Sequence, residues 1–292
     1  RSLVGSEMCI RDRIACADIS VLLRGASGTG KEHIAAEIHA RSHRKNKPYL
    51  AIDCGAISDE LAASEFFGHQ KGAFTGAESD KVGLFRAVNG GTLFLDEIGN
   101  LSYKTQMLLL RALQEKRCKP VGSTKEYSFD IRLVAATNEN LEQAIEKGTF
   151  REDLYHRINE FTLRIPDLKE RKEDILLFAN FFLDLANKEL DKHLIGFDTK
   201  ASQALMNYHW PGNLRQMKNI VKRATLLAQS SFITLLELGT ELLETPASSN
   251  TSIALRNEET EKEHILEALR QTGNNKSKAA QLLNIDRKTL YN

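Results

Sequence analysis

The stretch GASGTGK, residues 25–31, constrains the fold more than any other part of the chain. It follows the apolar run ISVLLR and precedes EHIAAEIHA, whose apolar residues have helical spacing. Its glycines allow backbone N–H groups to point at phosphate oxygens, the following helix adds the partial positive charge of its N-terminus, and Lys31 reaches the β and γ phosphates. The alternative is a glycine-rich turn with an unrelated lysine. Because a strand precedes the loop and a helix follows it, the sequence predicts a nucleotide-phosphate loop in an α/β domain.

Five short apolar runs alternate with segments of helical pattern: ISVLLRG, PYLAID, GGTLFLDE, FDIRLVAATN and FTLRIP. Such runs are typical of strands, and strands that alternate with helices form a parallel sheet covered on both faces. After Pro166 the strand pattern ends. Helical spacing then begins with Ile175, Phe178, Ala179, Phe182 and Leu185. We therefore expect an α/β subdomain followed by an all-helical lid.

The composition excludes several classes of protein. The chain has 292 residues, 41% hydrophobic and 27% charged, with a net charge of +1, so nucleic-acid binding would need a local basic cluster. Its cysteines, Cys9, Cys16, Cys54 and Cys118, lack the spacing of a zinc site or a disulfide framework. No apolar run approaches the roughly 18 residues of a membrane span. We expect a cytoplasmic protein without membrane contact.

Two acidic residues end the third apolar run. Ligands of open α/β sheets bind at the carboxyl ends of strands, so we expect Asp96 to hold Mg²⁺, directly or through water, and Glu97 to activate the attacking water. The next run ends in AATN, where Asn138 is either a γ-phosphate sensor or a turn residue. Glu32 replaces the Ser or Thr that usually follows the lysine, so the hydroxyl ligand of Mg²⁺ is expected from Thr29 or from water.

Three arginines are candidates for sensing or stabilising the nucleotide. Arg151 and Arg157 occur in TFREDLYHRI, on a predicted helix beyond the sheet. They are either transition-state arginines supplied to a neighbour's site, as in a ring of identical subunits, or side chains on a solvated helix face. Arg215, in WPGNLRQMKN of the lid, is expected to report the nucleotide state from the lid to the sheet.

The segment KGAFTGAE, residues 71–78, carries a single phenylalanine among small residues. Gly72 and Gly76 interrupt any helix or strand that would carry Phe74 into a core. The side chain is therefore either an exposed contact surface on a loop or a plug folded against its own domain.

Together these motifs resemble the central domain of the bacterial sigma-54-dependent transcriptional activators, enhancer-binding proteins of the AAA+ class. The most specific are FFGHQKGAFTGAE, GGTLFLDEIG, FREDLYHRIN and WPGNLRQMKN, and the resemblance covers about residues 14–292. It implies an AAA+ P-loop ATPase that uses ATP and Mg²⁺ and assembles into a ring, in the family a hexamer. It also implies sigma-54, RNA polymerase and enhancer DNA as partners in a bacterial cytoplasm.

The resemblance assigns a role to each site residue. The residues that would bind ATP phosphates are Gly25, Ala26, Ser27, Gly28, Thr29, Gly30, Lys31 and Glu32. Asp96 and Glu97 would be the magnesium and hydrolysis pair, Asn138 the first sensor, Arg151 and Arg157 the trans-acting arginines, and Arg215 the second sensor. The loop that would grip sigma-54 in a nucleotide-dependent way consists of Gly72, Ala73, Phe74, Thr75, Gly76 and Ala77.

Two residues depart from the family pattern. Asp53 stands where the family often has an asparagine that restrains the catalytic glutamate, and Gln216 replaces a common glutamate after the second-sensor arginine. Residues 1–13 have no periodicity and read as a non-native segment, a native disordered terminus being the alternative. The family's segment that packs over the adenine is therefore expected to be absent.

Residues 261–292 have helix-turn-helix spacing, and from Gln271 four Lys or Arg stand against one Asp. This segment resembles the Fis-type DNA-binding domain, a helical hairpin for dimer packing being the alternative. Lys276 and Lys278 would contact phosphates, and the recognition helix would begin at Arg287, Lys288 and Thr289. Since the chain ends within that helix, we expect weak DNA binding.

The predicted organisation is a non-native segment 1–13, an AAA+ α/β subdomain 14–168, a lid 169–245, a linker 246–260 and the helix-turn-helix 261–292. The leading hypothesis is an ATP-driven activator that remodels sigma-54 RNA polymerase holoenzyme. The alternatives are a DNA-binding repressor that keeps the fold as an oligomerisation scaffold and a remodelling ATPase for another substrate. The scaffold needs neither GAFTGA nor Lys31, Asp96, Glu97 and Arg151, all of which are present.

Overall fold

The computed structural model describes residues 14–239 and residue 242. These residues belong to the first of two compact units, residues 1–243 and 244–292. Three predicted segments lie outside the described residues: the non-native segment 1–13, the linker 246–260 and the helix-turn-helix with Lys276, Lys278, Arg287, Lys288 and Thr289.

The strands are β1 (Val21–Arg24), β2 (Tyr49–Asp53), β3 (Gly68–His69), β4 (Lys81–Val82), β5 (Thr92–Asp96), β6 (Arg117–Cys118), β7 (Tyr127–Ser128), β8 (Arg132–Thr137), β9 (Phe161–Arg164), β10 (Gly196–Phe197) and β11 (Phe232–Ile233). The helices are α1 (Lys31–Ala40), α2 (Asp59–Phe67), α3 (Leu84–Ala87), α4 (Tyr103–Glu115), α5 (Leu141–Glu146), α6 (Glu152–Ile158), α7 (Ile175–Leu190), α8 (Thr199–Asn207), α9 (Asn213–Leu227) and α10 (Leu235–Leu238). Short 3₁₀ turns occupy Cys54–Ala56, Ile98–Asn100, Leu168–Glu170 and Lys172–Asp174.

Five strands form the central sheet, in the order β2-β5-β8-β1-β9, and every pairing within it is parallel. All five predicted strands are present. Because the strands are parallel, the segments that follow β1, β5 and β8 leave the sheet at the same edge. The phosphate loop after β1 therefore lies at the edge where Asp96 ends β5 and Asn138 follows β8.

The sheet is buried on both faces, as its apolar runs predict. In β1, Leu22 packs with Phe66 on one face, whereas Val21 and Leu23 pack with Ile38 of α1 on the other. Side chains alternate along a strand, so a strand covered on both faces needs an unbroken apolar run. Helix α1, which follows the phosphate loop, is thereby fixed against the sheet.

The lid packs around Trp210, which is buried and donates from Nε1 to the carbonyl oxygen of Leu205 at 2.9 Å. Its Tyr208 neighbour meets the indole edge-on, with ring centroids 5.2 Å apart. An indole N–H needs an acceptor when it is buried, and the end of α8 supplies one. Trp210 is therefore a packing residue of the lid core.

The helix predicted from Ile175 onward is present as α7. The helix buries Ile175, Ala179, Leu183 and Ala186, whereas Leu185 is exposed. The helix has apolar residues on more than one face, so spacing alone does not select the buried stripe.

Besides its helices and turns, the described part of the lid contains one short parallel strand pair, β10 with β11. The pair is extended by the N–H of Ile195, which donates to the Ser231 carbonyl at 2.7 Å, and by that of Asp198, which donates to Ile233 at 2.9 Å. Strands of two residues are too short for a period-two pattern, which is why the sequence predicted helices alone. No helix in the described part of the chain is long and apolar enough to cross a membrane.

Candidate nucleotide site

The phosphate loop between β1 and α1 has a backbone conformation that requires glycine. Gly28 and Gly30 have φ of 78° and 94°, a left-handed conformation that glycine adopts without steric cost. A Cβ at Gly25 would lie 2.8 Å from the Ile165 carbonyl oxygen. The loop therefore has the close backbone turn that an anion site at a helix N-terminus requires.

The Lys31 side chain lies over this loop. Its Nζ donates to the carbonyl oxygens of Gly25 (2.9 Å) and Ala26 (3.1 Å). Burial lowers the pKa of Lys31, and the carboxylates of Asp96 and Glu97 oppose that shift. An ammonium group in this position is suited to pair with phosphate oxygens.

The Thr29 hydroxyl lies inside the phosphate loop. It is buried and donates to the Ala26 carbonyl at 2.8 Å, a bond that stabilises the loop. The donated proton leaves the oxygen lone pairs of the hydroxyl available, so Thr29 and water both stay predictions for the remaining ligand of Mg²⁺.

Asp96 ends β5 at the edge that the phosphate loop occupies, and Glu97 follows it directly. Glu97 has a left-handed backbone, with φ 51° and ψ 47°, and its N–H donates to Asp96 Oδ1 at 3.0 Å. Asn100 donates from Nδ2 to Glu97 Oε2 at 2.8 Å. Left-handed residues other than glycine are uncommon and carry strain that surrounding contacts must hold. The Glu97 carboxylate is therefore oriented by a residue that the sequence did not reveal.

A pocket of about 430 Å³ opens beside the loop, at the carboxyl ends of β1, β8 and β9. Asn138 lines it together with Gly25 and Ala26 of the loop, and so do the charged residues Arg164 and Glu170. Asn138 thus shares a pocket with the phosphate loop, which is what the sensor prediction requires. A turn residue after β8 would lie at the same edge of the sheet, so the sensor role of Asn138 stays a prediction.

The lid reaches the phosphate loop through the start of α9. Arg215 donates from Nη1 to the Ser27 hydroxyl at 3.1 Å and from its backbone N–H to the Gly28 carbonyl at 3.3 Å. Asn213 donates to the Ser27 carbonyl at 3.2 Å and accepts from the N–H of Leu168 at 2.8 Å. Arg215 therefore contacts the phosphate loop, and its role as the second sensor stays a prediction. The sequence analysis did not identify Asn213. An asparagine near a predicted helix start is the only sequence feature that indicates a structural role for it.

Arg151 and Arg157 lie apart from the phosphate loop. Arg151 precedes α6 instead of lying within it, and it binds both carboxylate oxygens of Asp153 (2.6 and 2.9 Å) and the Tyr103 hydroxyl (3.1 Å). Arg157 lies within α6 and donates to the Leu113 carbonyl at 3.1 Å. Among the described residues, neither side chain forms a hydrogen bond to the phosphate loop. That these arginines act in the site of a neighbouring subunit stays a prediction.

The predicted contact loop, residues 72–77, lies between β3 and β4. The N–H of Gly72 donates to the Ala77 carbonyl at 2.8 Å, and that of Ala77 donates to Phe74 at 3.0 Å. Phe74 is 38% exposed and packs edge-on against His69, with centroids 5.0 Å apart. Thr75 is exposed, but Ala77 is only 6% exposed. Ala77 therefore differs from the prediction, because a buried methyl group closes the loop and offers no contact surface.

The family model described as the sigma-54 interaction domain matches residues 6–164. The chain belongs to this family. The model described as the AAA+ ATPase lid domain matches residues 169–255, and that of the bacterial regulatory proteins of the Fis family matches residues 257–292. These matches confirm the recognised family and the predicted architecture of α/β domain, lid and helix-turn-helix. The first match begins inside the segment 1–13 that was set aside as non-native.

Relatives of this sigma-54 interaction domain protein are transcriptional regulatory proteins. ZraR of Escherichia coli (strain K12) is 45% identical over 278 residues, which are 95% of this chain and 63% of that protein. GlrR of the same organism is 47% identical over 220 residues, 75% of this chain and 50% of that protein. The chain thus spans less than two thirds of the length of these relatives.

A solved structure gives the same fold. NtrX from Brucella abortus in complex with ATP superposes with a TM-score of 0.76 at 31% identity, covering 99% of this chain and 66% of that chain. A second structure of NtrX, in complex with ADP, also has a TM-score of 0.76 at 31% identity and covers 98% of this chain and 66% of that chain. The family relationship therefore extends to the three-dimensional structure.

The site of this sigma-54 interaction domain protein has the groups that ATP and Mg²⁺ need. Lys31 and the N-terminus of α1 face the loop that would hold phosphates, and Asp96 supplies a carboxylate beside it. Mg²⁺ is usually bound by one or two carboxylates together with phosphate oxygens and water. Within residues 14–239 and 242, no group of three His, Cys, Asp or Glu residues could form a metal site from protein ligands alone. The Asp96 carboxylate beside the phosphate loop is a ligand of the kind that Mg²⁺ prefers.

Proposed function

We propose that this protein hydrolyses ATP in a ring of subunits and uses the hydrolysis to move residues 72–77 against sigma-54. The movement remodels the RNA polymerase holoenzyme so that promoter DNA opens, while residues 261–292 bind enhancer DNA. The protein acts in the bacterial cytoplasm, and the ring is a hexamer as in the family.

The observation that carries this proposal is the short path from Glu97 to the loop. The turn Ile98–Asn100, which follows Glu97, contacts the turn Cys54–Ala56. Helix α2 begins three residues after the second turn and ends at Phe67, directly before the hairpin that carries the loop. This connection supports the proposal, in which a displacement at Glu97 is passed through α2 to the loop that carries Phe74.

Each site residue has one task in this proposal. Lys31 and the loop N–H groups hold the phosphates, and bound Mg²⁺ supplies positive charge that stabilises the transferred phosphoryl group. Asp96 holds the metal, directly or through water. Glu97 orients the attacking water and accepts its proton.

Three residues act on the nucleotide from outside the sheet. Arg215 approaches the loop from the lid, so it links lid position to nucleotide state. Arg151 and Arg157 enter the site of the neighbouring subunit and stabilise transition-state charge there. A ring is therefore needed for full activity.

The test is binding of purified sigma-54 to the protein trapped with ADP and aluminium fluoride. The parent is compared with Thr75→Ala, and Ser79→Ala serves as the matched control because Ser79 is exposed just beyond the same loop. Oligomer formation is scored in parallel for all three proteins. We expect binding by the parent and the control and at least a tenfold loss for Thr75→Ala, about 1.4 kcal/mol.

The outcomes separate the proposal from its alternatives. A ring that hydrolyses ATP but does not bind sigma-54 would point to another substrate. A ring that neither hydrolyses ATP nor binds sigma-54 would point to a scaffold that binds DNA as a repressor.

A further inference from the structure

Three polar side chains meet at the turn that follows Glu97. Gly55 marks the meeting point, because a Cβ there would lie 3.1 Å from Asn100 Nδ2, 3.3 Å from Asp53 Oδ1 and 3.6 Å from Glu97 Oε2. The glycine leaves this space to the three side chains. Two of them are carboxylates and one is an amide, so only the amide can donate a hydrogen bond to its neighbours.

The two neighbours of Glu97 make different bonds. Asn100 donates from Nδ2 to Glu97 Oε2 at 2.8 Å. Asp53 Oδ1 instead accepts from the N–H of Gly55 at 2.8 Å and caps the turn Cys54–Ala56. Asp53 therefore stabilises the backbone beside Glu97, but it provides no bond to the Glu97 carboxylate.

We infer that Asn100 is the positioning residue of Glu97, in place of the asparagine that the family often carries at position 53. The inference rests on the proposed hydrolysis of ATP and identifies what holds its general base. Asn100 donates a hydrogen bond to Oε2 of the Glu97 carboxylate, so that Oε1 can accept a hydrogen bond from the attacking water. A second bond, from the Asn100 N–H to the Glu97 carbonyl at 2.9 Å, fixes the turn that presents the amide.

This arrangement is preorganised because donor and acceptor belong to one short turn. The amide needs no movement of a neighbouring element to reach Glu97, and a base held in one orientation reacts without first being ordered. The hydrogen bonds of Asn100 go to Glu97 and not to the phosphate loop. In this inference Asn100 therefore acts on the rate of hydrolysis, whereas Lys31 and its loop bind the nucleotide. The two effects are separable as kcat and KM.

The experiment exchanges the amide and the carboxylate between positions 53 and 100. Steady-state ATP hydrolysis, affinity for a fluorescent ATP analogue and ring formation are measured on the full chain. The proteins are the parent, Asn100→Asp and the double variant Asn100→Asp with Asp53→Asn. The control is Asn46→Asp, the same chemical change at an exposed turn far from the site in sequence.

We expect Asn100→Asp to lose kcat by about tenfold or more, since a hydrogen bond to a charged group is lost. KM, analogue affinity and ring formation stay within about twofold of the parent. Asp53→Asn in the same chain restores kcat several-fold, because an amide again faces Glu97. The control hydrolyses ATP like the parent.

Two results would overturn the inference: parental kcat in Asn100→Asp, or a loss of kcat that Asp53→Asn does not reverse. If Asn100→Asp does not fold or assemble, Asn100→Ala replaces it; the amide donor is then removed without an added charge, and the same loss of kcat at unchanged KM is expected. Parental KM and kcat in Asn100→Ala would also overturn the inference. A parent without ATPase activity would refute the proposed function instead, so the two failures are distinguishable.

Discussion

The carbonyl oxygen of Gly212, in the lid, lies 2.5 Å from the point where a Cβ of Gly28 would stand in the phosphate loop. The same Cβ would meet the Arg215 side chain at 3.0 Å. The lid therefore closes on the loop at a distance that only glycine permits. A side chain at position 28 would not fit between the phosphate loop and the lid.

Gly28→Ala should weaken ATP binding by about tenfold or more, because the added methyl displaces the lid from the loop. Gly90→Ala is the matched control, since Gly90 also has a positive φ (81°) but nothing lies within 4 Å of its Cβ position. Both variants should lose about 1 kcal/mol of stability from backbone strain. Titration with a fluorescent ATP analogue measures the affinity of both variants. Equal affinities would show that the contact between Gly28 and the lid does not contribute to ATP binding.

Mixing two inactive variants tests whether Arg151 serves a neighbour. Lys31→Ala and Arg151→Ala should each lack ATPase activity. An equal mixture should regain about a quarter of the parental rate, because a random ring then contains sites with an intact Lys31 and a neighbour's intact Arg151. Steady-state hydrolysis against mixing ratio gives the answer. No recovery in mixed rings would show that Arg151 works in its own subunit or has a structural role.

Phe74→Ala should leave the free energy of unfolding within about 0.5 kcal/mol of the parent, because the side chain is partly exposed. Phe85→Ala is the comparison: Phe85 is fully buried between other aromatic rings, and its loss should cost about 3–5 kcal/mol. Urea unfolding measures both. A large cost for Phe74→Ala would mean that this ring is a plug of its own domain, not a contact surface.

The ion pair between Arg24 and Glu142 should stabilise the folded state at neutral pH but not in strong acid. The Arg24 guanidinium binds both Glu142 oxygens (2.6 and 2.8 Å) and lowers the pKa of Glu142 from 4.5 to about 2. The contribution is complete above about pH 4.5 and is lost as the pH falls towards 2. Since the pair is partly exposed, Glu142→Gln should cost no more than about 1 kcal/mol at pH 7.

Urea unfolding at pH 7, 4 and 3 checks this. The difference between the parent and Glu142→Gln should shrink at each step towards acid, whereas Glu146→Gln on the same helix should differ little from the parent at any pH. A difference that does not change with pH would show that Glu142 contributes through packing and not through its charge.

The sequence by itself determined the sheet, the phosphate loop and the acidic pair. Each is encoded within a short run of consecutive residues: an unbroken apolar run for a strand buried on both faces, glycines before Lys31, and Asp96 at the end of such a run. The family followed from motifs of the same local kind. Such patterns can be recognised in the sequence because they involve only residues that are adjacent in the chain, and the folded protein keeps these residues adjacent.

The tertiary structure decided which side chains orient the site. Asn100 beside Glu97 and the buried Ala77 lie in turns, and Asn213 beside Ser27 is the first residue of α9. At such positions no period of hydrophobic residues marks the direction of a side chain. At Asn213 the partner lies in another element, so the bond exists only once the lid has packed on the sheet. Sequence patterns determine what a segment becomes, whereas the direction of a side chain in a turn is settled by the contacts that packing forms around it.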